Sequence, residues 1–275
     1  MSFKFFSHNG QIKSVEEAAI PLSNIEYQYG FGVYETIRVT NGIPYFLKDH
    51  LERLRESAHT IGLEHAFSDE FIENAIAELI RENAVETCNL KILLIGGSTK
   101  EMTSLYILCL NPLFPDKKLY RDGVHCITYE HERMFPHAKT LSMLGSYLAY
   151  RKARMASAYE ALLVNHGNIT EGTRTNFFAI KEKTLYSAPE KDILLGVTRK
   201  AVLTIATQNG FRVEERNLRL DDIKEYDGAF LTSTSSKILP IRSIDSLTLR
   251  EPPLALKTLM FLFDEFLKTS TGTLS

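Results

Sequence analysis

Lys139 is the residue of this sequence whose chemistry is most informative, because of the residues that follow it. A carboxylate, Glu171, lies about thirty residues downstream, and Gly196–Arg199 has the composition of a turn that opens a helix. A lysine amine attacks an aldehyde only after burial or a neighbouring cation has lowered its pKa. Lys139 stands between Ala138 and Thr140, just before an apolar segment, so we expect partial burial. Taken alone, such a lysine would be a solvated surface residue, and the prediction therefore depends on the whole set.

An arginine and two hydroxyl-bearing turns add groups that bind anions. Arg53 lies beside the apolar face of a predicted helix, and its planar fork suits phosphate oxygens, although it could instead pair with a neighbouring glutamate. The amides of Val197 and Thr198 are predicted at a helix N-terminus, which favours anions. Ser233 and Thr234 follow a predicted strand. These turns predict two walls of a phosphate site, and the simpler alternatives are an N-cap and an ordinary turn.

One amine, one carboxylate, one arginine and two such turns are the groups needed to bind pyridoxal 5'-phosphate. In this order they resemble the class IV (fold type IV) pyridoxal-phosphate enzymes. That family includes branched-chain aminotransferases, D-amino acid aminotransferases and aminodeoxychorismate lyases. Thr170-Glu171-Gly172, followed by Asn176 before a strand, matches the family pattern, whereas Arg174 replaces a residue that is often small. The resemblance extends from about His8 to Asp245.

The resemblance implies a role for each of these residues. Lys139 would form the Schiff base with the cofactor and move the substrate proton, while Glu171 would keep the ring nitrogen protonated so that the ring accepts electrons. Arg53 would bind the cofactor phosphate. The other expected cofactor-binding residues are Asn176, Leu194, Val197, Thr198, Ser233 and Thr234. The expected substrate-binding residues are Tyr29, Tyr34, Thr36 and Arg38, with a core aromatic as the alternative for Tyr34.

The activity implied by the resemblance is transfer of an amino group between an amino acid and a 2-keto acid. Two alternatives stay open: a lyase that eliminates pyruvate from aminodeoxychorismate to give 4-aminobenzoate, and a non-catalytic protein that keeps the fold. Many members carry an arginine near the end of the strand that corresponds to Leu90–Gly97, and this chain has none there. We therefore predict that Arg38, on the same side of its strand as Tyr34 and Thr36, helps to bind the substrate carboxylate. The family often has glutamate where this chain has Lys237.

The elements that must position these residues predict an α+β protein of two domains. By resemblance it is a fold-type-IV enzyme with a small α/β sandwich domain and a larger β-barrel-like domain with peripheral helices. We place the first domain at residues 1–113, a linker at 114–122 and the cofactor-binding domain at 123–275. Asn9-Gly10 and Asn41-Gly42 predict hairpin turns. Helices are predicted over about 47–58, from Ser68 to about 80, and over 142–159, 198–208 and 253–268.

Composition excludes several other classes of protein. The 275 residues carry a formal charge of −2, which favours neither nucleic acid nor an acidic membrane as a partner. The sequence has no apolar run long enough to span a membrane, and its three cysteines lack a metal or disulfide spacing. We therefore predict a cytoplasmic enzyme without a metal. The resemblance implies a homodimer whose substrates are small molecules.

Overall fold

The structure, a computed structural model, describes residues 3–112 and 114–269. Its residues form two compact units. The first contains residues 3–112 and 138–143, and the second contains 114–137 and 144–269. The sequence predicted a second domain running without interruption from residue 123. The structure instead assigns 138–143, which include Lys139, to the first unit.

An antiparallel sheet of six strands organises the first unit, in the order β2-β1-β6-β5-β3-β4. Both predicted hairpins are present. Asn9 and Gly10 have φ angles of 51° and 80°, and Asn41 and Gly42 have 51° and 73°, as the two-residue turns require. The strands are β1 Phe5–His8, β2 Gln11–Ser14, β3 Gly32–Thr40, β4 Ile43–Pro44, β5 Thr87–Ile95 and β6 Ser104–Leu110.

Two amphipathic helices contribute to the core of this unit, and a short helix precedes β3. They are α1 Ile25–Gln28, α2 Leu47–Thr60 and α3 Asp69–Glu82. The predicted N-cap of α3 is confirmed, because the Ser68 side chain accepts a hydrogen bond from the Phe71 amide. Leu51 and Leu54 of α2 join Val33 and Ile37 of β3 in one buried cluster. Since alternate residues of a strand point to opposite sides, Tyr34 and Thr36 must lie on the other face of β3.

Residues 138–143 run beside β3, which explains their place in the first unit. Val33 and Thr140 form an antiparallel bridge, and the Leu141 amide donates to the Gly32 carbonyl at 2.8 Å. A Cβ at Gly32 would lie 2.7 Å from both Leu141 Cδ1 and the Leu94 carbonyl oxygen, so only glycine allows this approach. No local sequence pattern indicates this pairing, because it joins residues that are distant in sequence.

Ten strands form the sheet of the second unit, and six of them close into a barrel. The ring runs β10-β14-β15-β7-β8-β9 and returns to β10 through the pair Glu171–Asn176. The predicted barrel-like domain is therefore confirmed. Glu171 lies inside β9. The strands are β7 Val124–Glu130, β8 Glu160–Asn165, β9 Asn168–Gly172, β10 Asn176–Lys181, β11 Thr184–Ser187, β12 Arg212–Glu215, β13 Leu218–Arg219, β14 Gly228–Ser233, β15 Lys237–Ile244 and β16 Leu247–Thr248.

Four helices belong to the second unit: α4 Lys117–Asp122, α5 Leu144–Met155, α6 Val197–Gln208 and α7 Leu254–Thr269. The segment predicted as a linker contains α4. The Asp116 side chain caps the first turn of this helix. Helix α5 is shorter than predicted. Ser157 adopts φ 55°, and the Ala158 amide returns to the Ala153 carbonyl, which is a common helix C-terminus. Among the helices of the described chain, none has the length and apolarity that a membrane crossing needs.

Candidate active site

The backbone of Lys139 is fixed on both sides within the first unit. Its amide donates to Ser57 Oγ at 3.1 Å, and its carbonyl accepts from the Tyr34 amide at 2.9 Å. Because Val33 and Thr140 form a bridge, Tyr34 and Lys139 share the other face of β3. The Lys139 Nζ lies 4.4 Å from the centroid of the Tyr34 ring. The amine is therefore held on a defined sheet face.

That face also carries two of the other predicted substrate residues, but the structure does not bring all four together. Tyr34, Thr36 and Arg38 alternate with core residues of β3, so they share one face, and Arg38 Nε donates to Thr40 Oγ1 at 3.4 Å. Tyr29 ends α1 and is 79% exposed, and no described contact joins it to Tyr34. Its predicted substrate role is the one that this single chain supports least.

Lys91 also lies on this face, and the sequence motifs did not single it out. It is paired with Thr36 across β3 and β5, and its Nζ lies 3.4 Å from the centroid of the Tyr34 ring. Burial lowers the pKa of Lys91 to about 8, and the nearby Lys139 contributes in the same direction. The available signal was a lysine at a half-buried position between the apolar residues Leu90 and Ile92.

Arg53 is buried, in contrast to the surface pairing that we considered. Its Nε and Nη2 donate to the two carboxylate oxygens of Glu35 at 2.7 and 2.8 Å, and His50 Nδ1 lies 2.8 Å from Glu35 Oε2. Burial alone would raise the pKa of Glu35, but Arg53 and His50 outweigh it and hold the pKa well below its usual range. Glu35 therefore fixes the orientation of the Arg53 guanidinium.

Glu171 is the centre of the predicted residues in the second unit. It is almost fully buried, and one oxygen accepts a hydrogen bond from the Leu194 amide at 3.3 Å. The other oxygen lies 2.9 Å from Arg133 Nε, in an ion pair whose geometry is not that of a hydrogen bond. Arg133 also donates to the Thr173 carbonyl at 3.0 Å. Sequence reasoning missed Arg133, because it lies in an irregular loop far from Glu171 in the chain.

The turn that precedes α6 is tied to the same cluster by Asn176. Its Nδ2 donates to the Leu194 carbonyl at 2.7 Å, and a Cβ at Gly196 would lie 2.1 Å from its Oδ1. Gly196 is the N-cap of α6 and offers no side chain to the first turn. The amides of Val197 and Thr198 therefore keep the donors of an uncapped helix N-terminus, which suits a phosphate.

The second predicted group of phosphate-binding residues, Ser233 and Thr234, lies at the end of β14. Asn176 is paired with Thr232, and the buried Thr232 Oγ1 has no hydrogen-bond partner among the described residues. Ser233 Oγ accepts from the Ser236 amide at 3.1 Å, so Ser233 is part of an ordered turn with Thr234. A buried carboxylate, an uncapped helix and a buried hydroxyl together match the ring nitrogen and phosphate of pyridoxal phosphate.

The two residues that depart from the family pattern lie on the surface of the second unit. Arg174 is exposed, and its guanidinium stacks 4.1 Å from the centroid of the Tyr150 ring. Lys237 adopts φ 54° and donates to Asp264 of α7 at 2.6 Å. Both side chains therefore have structural partners of their own within that unit.

Comparison with known proteins identifies relatives along most of the chain. The family model for amino-transferase class IV matches residues 32–244. The chain is 32% identical to the D-alanine aminotransferase of Bacillus licheniformis over 88% of both chains. It is 30% identical to the putative branched-chain-amino-acid aminotransferase of Methanocaldococcus jannaschii over 86% of both.

Solved structures extend this comparison to the fold. The branched-chain aminotransferase of Thermoproteus uzoniensis, solved with norvaline, has a TM-score of 0.86 at 27% identity, covering 95% of this chain and 94% of that chain. The T.th. branched-chain amino acid aminotransferase, solved with pyridoxamine 5'-phosphate, has a TM-score of 0.88 at 26% identity, covering 96% and 94%. With the family match over most of its length, this chain belongs to the class IV aminotransferases, which are pyridoxal-phosphate enzymes.

Proposed function

We propose that the protein transfers an amino group from a neutral aliphatic amino acid to a 2-keto acid, with Lys139 as the reactive amine. The named relatives support this substrate class, because D-alanine and the branched-chain amino acids are both neutral and aliphatic. Because one of these relatives is named for a D-amino acid, both configurations of the donor must be assayed.

The observation that carries this proposal is the way in which Lys139 is held. Hydrogen bonds from Tyr34 and to Ser57 fix its backbone, so its amine projects from a defined sheet face beside the Tyr34 ring. A lysine held in this way can bond to an aldehyde and then carry a proton to and from the Cα of the amino acid. A surface lysine would have no need of such an arrangement.

The residues of the two units have separate tasks in this proposal. Pyridoxal phosphate, when bound, supplies an electron sink for the charge that develops at the substrate Cα. Glu171 would hydrogen-bond the protonated ring nitrogen, and Arg133, whose Nε lies 2.9 Å from the Glu171 carboxylate, would hold that carboxylate in position. The Val197 and Thr198 amides would bind the phosphate, and Arg53, which Glu35 orients, would serve the same purpose. Leu194 would pack against the ring.

Borohydride reduction followed by peptide mapping tests the role of Lys139. Reduction of the yellow holoenzyme should leave the cofactor on the peptide that contains Lys139. Lys139→Ala should lose this label while it keeps the wild-type circular dichroism, and Lys48→Met, at an exposed position of α2, should keep the label. A label on another lysine, Lys91 above all, would overturn the assignment.

A donor panel tests the reaction itself. The holoenzyme should pale when it receives alanine, leucine or valine of one configuration, and a 2-keto acid should restore its colour. Retention of the yellow colour with every amino acid, combined with consumption of aminodeoxychorismate, would instead identify the lyase. A protein that pyridoxal phosphate cannot colour would contradict both activities.

A further inference from the structure

Lys91 is a partly buried cation on the face of β5 opposite to Leu90 and Ile92. Its neighbours in β5, Leu90 and Ile92, belong to the buried core, and Lys91 points to the other face, where it is only partly exposed. A lysine removed from water costs stability unless an anion compensates for it. Lys91 is therefore a candidate for binding a negatively charged ligand.

The position of Lys91 relative to Lys139 indicates which anion Lys91 would bind. The two Nζ atoms lie 3.4 and 4.4 Å from the centroid of the same Tyr34 ring, so they are at most about 8 Å apart. In an α-amino acid the carboxyl carbon lies about 2.5 Å from the nitrogen, and with its hydrogen bond it reaches a donor within roughly 6 Å. Because the substrate nitrogen itself lies roughly 3 Å from the amine with which it reacts, an amino acid at Lys139 reaches far enough to present its carboxylate to Lys91.

The electrostatic surroundings of Lys91 would favour a bound anion. Burial lowers its pKa and Lys139 adds to this effect, whereas Tyr34 and Glu35 oppose it. A carboxylate bound to Lys91 would offset the cost of holding this cation away from water beside another amine. The titratable groups on this face and beside it are Tyr34, Arg38, Lys139, Tyr106 and His8, with Glu35 on the opposite face of β3.

Lys91 is also better placed than Arg38, which the sequence suggested for this task. Arg38 follows Tyr34 by four residues, which corresponds to roughly 13 Å along a strand. Lys91 is paired with Thr36, and its amine reaches back to the Tyr34 ring itself. Lys91 thus contacts the same aromatic ring as Lys139.

We propose that Lys91 binds the carboxylate of the amino acid that reacts at Lys139, and that it thereby selects donors that carry a carboxylate. This inference rests on the proposed aminotransferase function. It assigns Lys91 a binding role that neither the motifs nor the family match requires. The same ammonium group would bind the carboxylate of the incoming 2-keto acid, since both substrates place it next to the reacting carbon.

Donor kinetics provide the first test. The holoenzyme would be assayed with leucine and with isoamylamine, which lacks only the carboxylate. Lys91→Met should lower kcat/KM for leucine roughly 10–150-fold, the loss expected for one charge-assisted hydrogen bond. It should change the value for isoamylamine much less, and Lys91→Arg should restore most of the activity with leucine. Equal losses for both donors in Lys91→Met would overturn the proposal.

Carboxylate binding provides a second test that needs no turnover. Calorimetry would measure the Kd of 4-methylvalerate, a carboxylate without an amino group, as the pH rises. Wild-type affinity should fall as the pH passes about 8, where Lys91 loses its proton, and Lys91→Arg should keep its affinity. Lys48→Met should behave as wild type. The same pH profile for wild type and Lys91→Arg would contradict the proposal. If no amino acid is turned over, the proposed function fails while this measurement still tests Lys91.

Discussion

The sequence motifs singled out Lys139 and Glu171 but not the cations Lys91 and Arg133. Each of these cations lies beside one of the two residues that the motifs singled out. Lys91 shares the Tyr34 ring with Lys139, and Arg133 forms an ion pair with Glu171. In each case a cation lies beside a group to which we assign the chemistry. Reactive groups commonly lie among such charged neighbours.

In this proposal Lys91 stabilises a bound ligand but lowers the free energy of unfolding of the protein. Its pKa is about 8 in the folded protein and 10.5 for an ordinary lysine, so the unfolded chain binds more protons between these pH values. Below pH 8 the burial penalty is fully present, and it disappears as the pH approaches 10.5. Lys91→Met should therefore raise the free energy of unfolding by on the order of 1–3 kcal/mol at pH 7, with the gain shrinking above pH 8.

Urea denaturation at several pH values, with equal cofactor loading, measures this effect. Lys48→Met serves as the control and should stay within about 0.5 kcal/mol of wild type at every pH, as expected for a surface substitution. Any gain from the apolar methionine side chain is independent of pH. A stability difference that does not change between pH 7 and 10.5 would therefore show that the charge of Lys91 is not the cause.

At the scale of elements, β3 packs one face against the core, and we propose that its other face carries the chemistry. Glu35 is the exception on its core face, where Arg53 and His50 of α2 bind it. This buried triad attaches α2 to β3. Because a shift of one residue would exchange the two faces of the strand, the triad also specifies the register that places Tyr34 beside Lys139.

Glu35→Ala should destabilise the first unit strongly. Removal of one partner leaves Arg53 as an uncompensated buried charge, which typically costs about 3–5 kcal/mol. Glu56→Ala, at an exposed position of the same helix, should cost less than about 0.5 kcal/mol. Urea denaturation of both variants would measure the difference. Similar stabilities for the two variants would mean that the triad is not needed to attach α2.

At the scale of the whole molecule, α5 presents an apolar surface that we propose forms a homodimer. Leu144, Tyr147 and Met155 are 71%, 58% and 80% exposed. Large exposed apolar side chains on one short helix commonly mark an interface, and a second copy of the chain is the commonest partner. The family resemblance also led us to expect a dimer.

Light scattering coupled to size exclusion tests the oligomeric state. Wild type should have the mass of two chains of 31.2 kDa, and the double substitution Tyr147→Glu with Leu148→Glu should give the mass of one. Lys224→Glu, an exposed position outside α5, should remain dimeric. A wild-type monomer, or a dimer that both glutamates leave intact, would contradict an interface at α5.

The sequence by itself determined much of the local structure and, through the family resemblance, the residues that we propose to be reactive. Asn-Gly turns, amphipathic stripes such as that of α2, and the N-cap at Ser68 are encoded by neighbouring residues, so they could be predicted. The motif around Glu171 and the uncapped start of α6 were likewise visible, because their parts are close in the chain. The two-domain α+β class followed from the order of these elements and from the resemblance.

Only the tertiary structure decided which distant residues meet. No local pattern predicts that residues 138–143 pair with β3, that Glu35 binds Arg53, or that Lys91 and Lys139 share one ring. These contacts arise from strand register and from helix packing, which depend on the whole sheet rather than on neighbours in sequence. The charges of buried groups follow the same rule. Burial and long-range partners set the pKa of Glu35 and Lys91, and neither can be deduced from adjacent residues.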